Sequence, residues 1–160
     1  MLVLAAALLV ALLILAALAR RPRRPPYVLC DSLLTPGEMA FNRVLDRCLP
    51  PGCRVMMKVR LADVITVPRG SDESQSWWAK IKQKHCDFVL VDTDSLQPIL
   101  VIELNDKSHD RADRKARDAF LEQAFDVAGL PLLWVKAAAA YDTRQVRLSI
   151  FQKLGLAKQA

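Results

Sequence analysis

Glycine is scarce, with five in 160 residues. None are grouped into a loop that could cradle a nucleotide's phosphates, and no nucleophile-elbow motif occurs. Nucleotide-loop and covalent-nucleophile enzymes are therefore set aside. Cys30, Cys48, Cys53 and Cys86 form no C-x-x-C pair, so the spacing offers neither a zinc site nor a disulfide frame, and they read as small apolar fillers. No internal repeat is visible. An excess of one charge is also missing once its location is considered. The formal charge is +6, from 23 basic and 17 acidic residues. Four of those basic residues are Arg20, Arg21, Arg23 and Arg24; without them 19 oppose 17. That balance excludes a strongly basic nucleic-acid binder on composition alone.

What is present begins with an apolar run. Leu2 to Ala19 holds no charge, glycine or proline. As a helix its eighteen residues would rise about 27 Å, near the hydrocarbon thickness of a bilayer. No Lys or Arg precedes Arg20, and the run is long for a cleaved signal peptide. The expectation is an uncleaved single-pass anchor (1–19) in the inner, cytoplasmic membrane. The arginines after it predict a C-terminal domain on the cytoplasmic side. Pro22, Pro25 and Pro26 mark a stiff basic linker over 20–27, and one domain fills 28–160.

Within the domain, Thr35, Pro36 and Glu38 predict a helix start, with a cap, a first-turn proline and a capping box. Glu38 thus has a structural role to set against any site role. Phe41, Val44, Leu45 and Cys48 line one face, and Pro50-Pro51-Gly52 ends the helix. Residues 53–59 alternate as a strand, with Val55, Met57 and Val59 on one side and Met56 and Lys58 on the other. The apolar stretch 61–67 is undecided between states, and 69–75 is a polar loop. Trp77 and Trp78 open a helical turn. Adjacent tryptophans cannot both face one core, so one packs while the other covers a site or stacks on a base.

The chain is organised around 84–109, KHCDFVLVDTDSLQPILVIELNDKSH. Two strands, over 85–91 and 99–104, flank the turn formers DTDSLQP. Ile99 to Ile102 is an unbroken apolar run, as in a central strand covered on both faces. It ends in Glu103, followed by Asn105, Asp106 and His109; the first strand starts with Asp87. If Val91 pairs with Pro98, Asp87 lies opposite Ile102; a shift of one sets it across from Glu103. Two carboxylates at about 5 Å repel by roughly 3 kcal/mol at an effective dielectric near 20. A raised pKa, a neighbouring cation or a hard divalent ion such as Mg²⁺ would offset that. The alternative is two carboxylates at frayed, solvated strand ends. A helix follows over 109–129 with Ala112, Ala116, Ala119, Phe120 and Val127 as its apolar stripe. A buried strand (132–135) and a last helix, with Val146, Ile150, Phe151 and Leu154 inward, complete an α/β sandwich with a mixed sheet.

The segments LLTPGEMAFNRVL, KHCDFVL, IELNDKSH, RKARDAFL and AGLPLL, spread over 33–135, resemble the pattern of a bacterial family, domain of unknown function 2726. That family looks like a branch of the PD-(D/E)XK nuclease-like superfamily, close to the very-short-patch-repair endonuclease type. The resemblance implies a restriction-endonuclease-like αβββαβ core with its mixed sheet flanked by helices, here preceded by the anchor. It implies Asp87 and Glu103 as metal acids, Glu38 as the first-helix glutamate of the metal set, and His109 as a general acid/base. Arg117 falls on a helix facing the site. The superfamily's lysine after the second acid falls at Asn105, which is neutral; Asp106, Lys107 and Lys58 are candidates to replace it in space. Lys58, Lys107 and Arg117 are the candidate nucleic-acid contacts. The implied function is Mg²⁺-dependent phosphodiester hydrolysis of nucleic acid. The alternatives are a non-catalytic nucleic-acid-binding module on the same fold and an anchored regulatory domain with a protein partner.

Overall fold

A computed structural model describes residues 2–19, 24–105 and 112–156, with side chains left undescribed at 17–19 and 112–114. The chain divides into two compact units, 1–31 and 32–160. The first holds helix α1, Leu2–Ala19, and every side chain described in it is exposed. Among the described residues no helix is long and apolar enough to cross a membrane.

The second unit runs α2 (Pro36–Leu45), β1 (Cys53–Arg60), α3 (Leu61–Val64), α4 (Ser74–Ile81), β2 (His85–Asp92), β3 (Pro98–Asn105), α5 (Ala112–Ala128), β4 (Leu132–Lys136) and α6 (Thr143–Lys153). The expected order holds, and the undecided stretch after β1 supplies the short α3. The sheet order is β1-β2-β3-β4. The first three strands are antiparallel neighbours, and α5 carries the chain over to a parallel β4.

Helices cover both faces. On one, Phe41, Leu45, Ile150 and Phe151 of α2 and α6 meet Phe88, Leu90, Leu100 and Ile102 of the central strands. On the other, Leu61, Ile81, Leu121 and Phe125 pack on Val89, Val101 and Leu132. A strand buried on both sides has no polar face, which explains the unbroken run at 99–102. The inward side of α6 is as expected, with Val146, Ile150 and Phe151 buried. Asp142 caps it, its Oδ1 accepting from the Arg144 N–H at 2.8 Å. The capping box of α2 is present in full. Thr35 Oγ1 accepts from the Glu38 N–H at 3.4 Å, and Glu38 Oε2 accepts from the Thr35 N–H at 2.9 Å. Such a cap contributes about 1 kcal/mol.

Four expectations need correction. The stripe of α5 lies on Leu121 and Phe125, four residues apart and buried, whereas Val127 is 83% exposed. Two residues advance a helix by about 200°, so Val127 points away from Phe125. Both tryptophans are part-exposed, 43% for Trp77 and 38% for Trp78; Ile81 anchors α4 in their place. In β1, Val55 packs with one core and Val59 with the other. Regular alternation would put them on the same side. Lys58, between them, has φ of 52°, and this left-handed residue turns the strand over. Of the cysteines, Cys48 and Cys86 are buried fillers, while Cys30 is exposed and Cys53 half-buried.

Candidate active site

The β2–β3 hairpin sets the register of the two acids. Its turn is closed by Asp92, whose Oδ1 accepts from the N–H groups of Asp94 (3.2 Å) and Ser95 (2.8 Å) and from the Ser95 hydroxyl (2.7 Å). Val91 does pair with Pro98, but the register shifts by one between Leu90 and Val91. Leu90 then pairs with Leu100 and Phe88 with Ile102, which places Asp87 across from Glu103. The bulge at Ile99 is the one-residue shift that the site requires.

The β2–β3 ladder ends at Phe88–Ile102, while β2 stays paired with β1 and β3 with β4. The acids take up backbone groups at this end of the ladder. Asp87 Oδ2 accepts from the Leu104 N–H at 3.1 Å, and Glu103 Oε1 accepts from the Asp87 N–H at 3.1 Å. Each carboxylate thus holds the opposite strand.

Cations occupy the remaining oxygens. Lys58 Nζ donates to Asp87 Oδ1 at 3.1 Å and to Glu38 Oε1 at 2.5 Å. Arg117, from α5, donates through Nη2 to Glu103 Oε2 at 3.0 Å. The left-handed backbone at Lys58 sends its side chain to α2 and β2 together, and strained residues of this kind concentrate at functional sites. Glu38 reaches the cluster through Lys58, its other oxygen being held in the capping box.

Electrostatics separate the acids. Burial pushes the Glu103 carboxyl up, and the Asp87 charge adds to this; the Asp87 N–H, Arg117 and Lys58 offset only part, leaving it at about 7. Burial also raises Glu38, but its bonds from Lys58 and Thr35 outweigh this and hold it below the usual carboxylate value. For Lys58, burial is outweighed by Glu38 and Asp87, and the ammonium titrates above an ordinary lysine. With Glu103 protonated, two cations meet two carboxylates. With Glu103 ionised, the cluster is one positive charge short.

The structure brings Glu38, Lys58, Asp87, Glu103 and Arg117 together. Asn105 ends β3, its carbonyl accepting from the Ala137 N–H at 3.0 Å; by alternation it shares Glu103's side of the sheet. Lys107 and His109, with Asp106, lie outside the described residues. Among the described residues no three His, Cys, Asp or Glu side chains gather closely enough to hold a metal. Sequence reasoning missed Asn42, one turn beyond Glu38 on α2, whose buried Oδ1 has no hydrogen-bond partner among the described residues. Its i+4 spacing from Glu38 was the available signal.

Residues 30–154 match the model of a family described as protein of unknown function (DUF2726). The chain belongs to this family. No curated protein and no solved structure matches it. In this DUF2726 domain, the acids, the lysine and the arginine all lie within the matched span.

Proposed function

We propose that this DUF2726 protein is a membrane-anchored, Mg²⁺-dependent phosphodiesterase of nucleic acid on a PD-(D/E)XK-like frame. One observation carries the reading: Asp87 and Glu103 are opposed at the end of the β2–β3 ladder, with the Lys58 ammonium 3.1 Å from Asp87. With α3 and α4 inserted between β1 and β2, the α2-β1-β2-β3-α5-β4 succession is compatible with the αβββαβ core of that superfamily.

The residues fit a hard, largely hydrated cation. Mg²⁺ is commonly held by one or two carboxylates, with water and phosphate completing its shell, so a third acid is not required. Burial is the main cause of the raised Glu103 carboxyl, and the Asp87 charge adds to it; a cation between the acids would offset both. Asp87 and Glu103 would hold the ion, and the unpartnered Asn42 Oδ1 is a further oxygen on the flank of Glu38. When bound, such an ion stabilises charge on the phosphate and eases ionisation of water.

The chain's own groups supply the rest. Lys58 takes the place in space of the lysine that Asn105 replaces in sequence, and Glu38 holds it there. Its ammonium is placed to meet a phosphate oxygen, and Arg117 orients Glu103. Because the metal-free Glu103 carboxyl titrates at about 7, metal binding near neutral pH would displace a proton from it. His109 and Lys107 keep the proton-transfer and phosphate-contact roles that the family pattern implies.

The test is a melting experiment on the full chain in detergent, with and without Mg²⁺ or Mn²⁺. At 100 times the dissociation constant a bound ion stabilises by about 2.7 kcal/mol. Asp87→Asn should remove this gain and any metal-dependent cleavage of nucleic acid. Indifference of melting to millimolar metal would sink the metal site. Metal binding without cleavage would leave the non-catalytic nucleic-acid-binding reading, which the neutral Asn105 favours.

The anchor part of the proposal rests on the charge-free Leu2–Ala19 and the arginines after it, which set the domain on the cytoplasmic side. A reporter active only in the periplasm, fused after Ala160, should be silent; strong activity would reverse the orientation.

A further inference from the structure

A second feature lies on the α5 side of the sheet. Ile65, Val67, Trp77, Phe120 and Val127 line a cavity of about 400 Å³ between α4, the loop before it and α5. Its size is in the range of small-ligand sites. Two of the rings that line it, Trp77 and Phe120, each carry a lysine ammonium against them. Lys80 Nζ sits 3.8 Å from the centre of the Trp77 ring, and Lys84 Nζ lies 5.6 Å from that of Phe120. Two of its large apolar lining groups are open to solvent, Trp77 at 43% and Val127 at 83% exposure, while Ile81 is buried beneath them. The exposed Ser71 and Asp72 also line it, so its edge offers hydrogen-bond partners and one negative charge. A phosphate would be repelled by Asp72; an uncharged, flat group with N–H donors would not.

The cavity is tied to the acid cluster through two elements. Phe120 lines it one turn along α5 from Arg117, which holds Glu103. Three residues of helix rise about 4.5 Å. Lys84, at the Phe120 ring, directly precedes β2, which carries Asp87 three residues on. A polyanion whose phosphate sits at the acids therefore has this cavity within reach of its neighbouring nucleotide.

We infer that the cavity between α4 and α5 receives an unpaired nucleobase, stacked on Trp77, and that the substrate is single-stranded nucleic acid. This rests on the nucleic-acid reading of the acid cluster. A duplex keeps its bases stacked and paired and offers none to such a cavity without paying to extrude it. Aromatic platforms bordered by cations, as here with Lys80 and Lys84, are the usual means of holding unpaired bases.

The test measures binding of the full chain in detergent micelles, in EDTA so that cleavage does not enter. The probe is a fluorescein-labelled oligodeoxyadenylate, alone or annealed to its complement, read by anisotropy and tryptophan quenching. The single strand should bind at least about tenfold more tightly than the duplex. Loss of a stacked base costs about 1–3 kcal/mol, so Trp77→Ala should weaken the single strand by roughly tenfold, and Trp77→Phe should restore most of it. Val127→Glu changes an exposed rim residue and should weaken binding without altering melting; it decides the matter if Trp77→Ala unfolds. Equal affinity for duplex and single strand, or single-strand affinity unmoved by Val127→Glu and Trp77→Ala, overturns the inference. The two readings fail separately: stacking without metal-dependent cleavage removes the enzyme but keeps the cavity's role, and cleavage indifferent to Trp77 and Val127 does the reverse.

Discussion

Between about pH 5 and pH 8 the metal-free protein should lose roughly 2–3 kcal/mol of stability that Glu103→Gln does not lose. The Glu103 carboxyl titrates at about 7 when folded, against an ordinary value of 4.5. Between those values the folded state binds a proton that the unfolded state has released. Stability therefore falls as pH rises through this window, and is fully reduced above pH 7. At roughly 1.36 kcal/mol per pH unit of displacement, most of the effect falls between pH 5 and 8. The other titrating groups are common to both proteins, so the difference of the two stability curves isolates Glu103. For a domain of this size the change is about 10 °C in melting temperature. The amide introduced by Glu103→Gln would still accept the Asp87 N–H, and Arg117, 47% exposed at its side chain, can turn to water. Thermal melts of both proteins in EDTA across this range provide the check. Parallel curves would mean that Glu103 stays ionised against Arg117.

Lys58→Ala should be the most damaging single change to the cluster. It leaves Glu38 and Asp87, whose side chains are only 10% and 16% exposed, facing each other without a cation. Breaking a buried pair costs about 3–5 kcal/mol. Lys58 is itself 34% exposed, and solvent screening lowers the expected loss to about 2 kcal/mol. Lys58→Gly should be more stable than Lys58→Ala by about 1 kcal/mol, since glycine adopts a φ of 52° without strain. Under the phosphodiesterase reading both variants should also lose roughly a hundredfold or more in metal-dependent cleavage, because the cation set to meet the phosphate is removed. Stability by denaturant melts and rates by single-turnover cleavage separate these effects. If alanine and glycine variants both melt with the parent, Lys58 is a solvated surface lysine and the cluster does not depend on it.

Much of this was legible in the chain. Thr35, Pro36 and Glu38 act only on their own helix start, so the capping box could be read locally. The hairpin was readable from its turn formers and from two apolar strands. Asp87 and Glu103 were one register apart from certain pairing, and the bulge at Ile99 resolved that single residue. Bulges depend on how a sheet packs, which a two-strand argument does not contain.

The sequence by itself determined the element order, the doubly covered central strands and the two acids at their ends, because these depend on near neighbours and on which residues avoid water. Only the tertiary structure decided what surrounds the acids. Lys58 reads as one polar position in an alternating strand, yet its left-handed backbone moves Val55 and Val59 to opposite cores and inserts its ammonium between α2 and β2. Arg117 meets Glu103 because Leu121 and Phe125, rather than Ala119 and Val127, face the sheet, and small differences in apolar area along α5 settle that rotation only when a sheet is there to pack against. The shift of Glu103 is likewise a sum over burial and charges from three other elements, β1, β2 and α5. Long-range juxtaposition sets it, and no spacing along the chain encodes it.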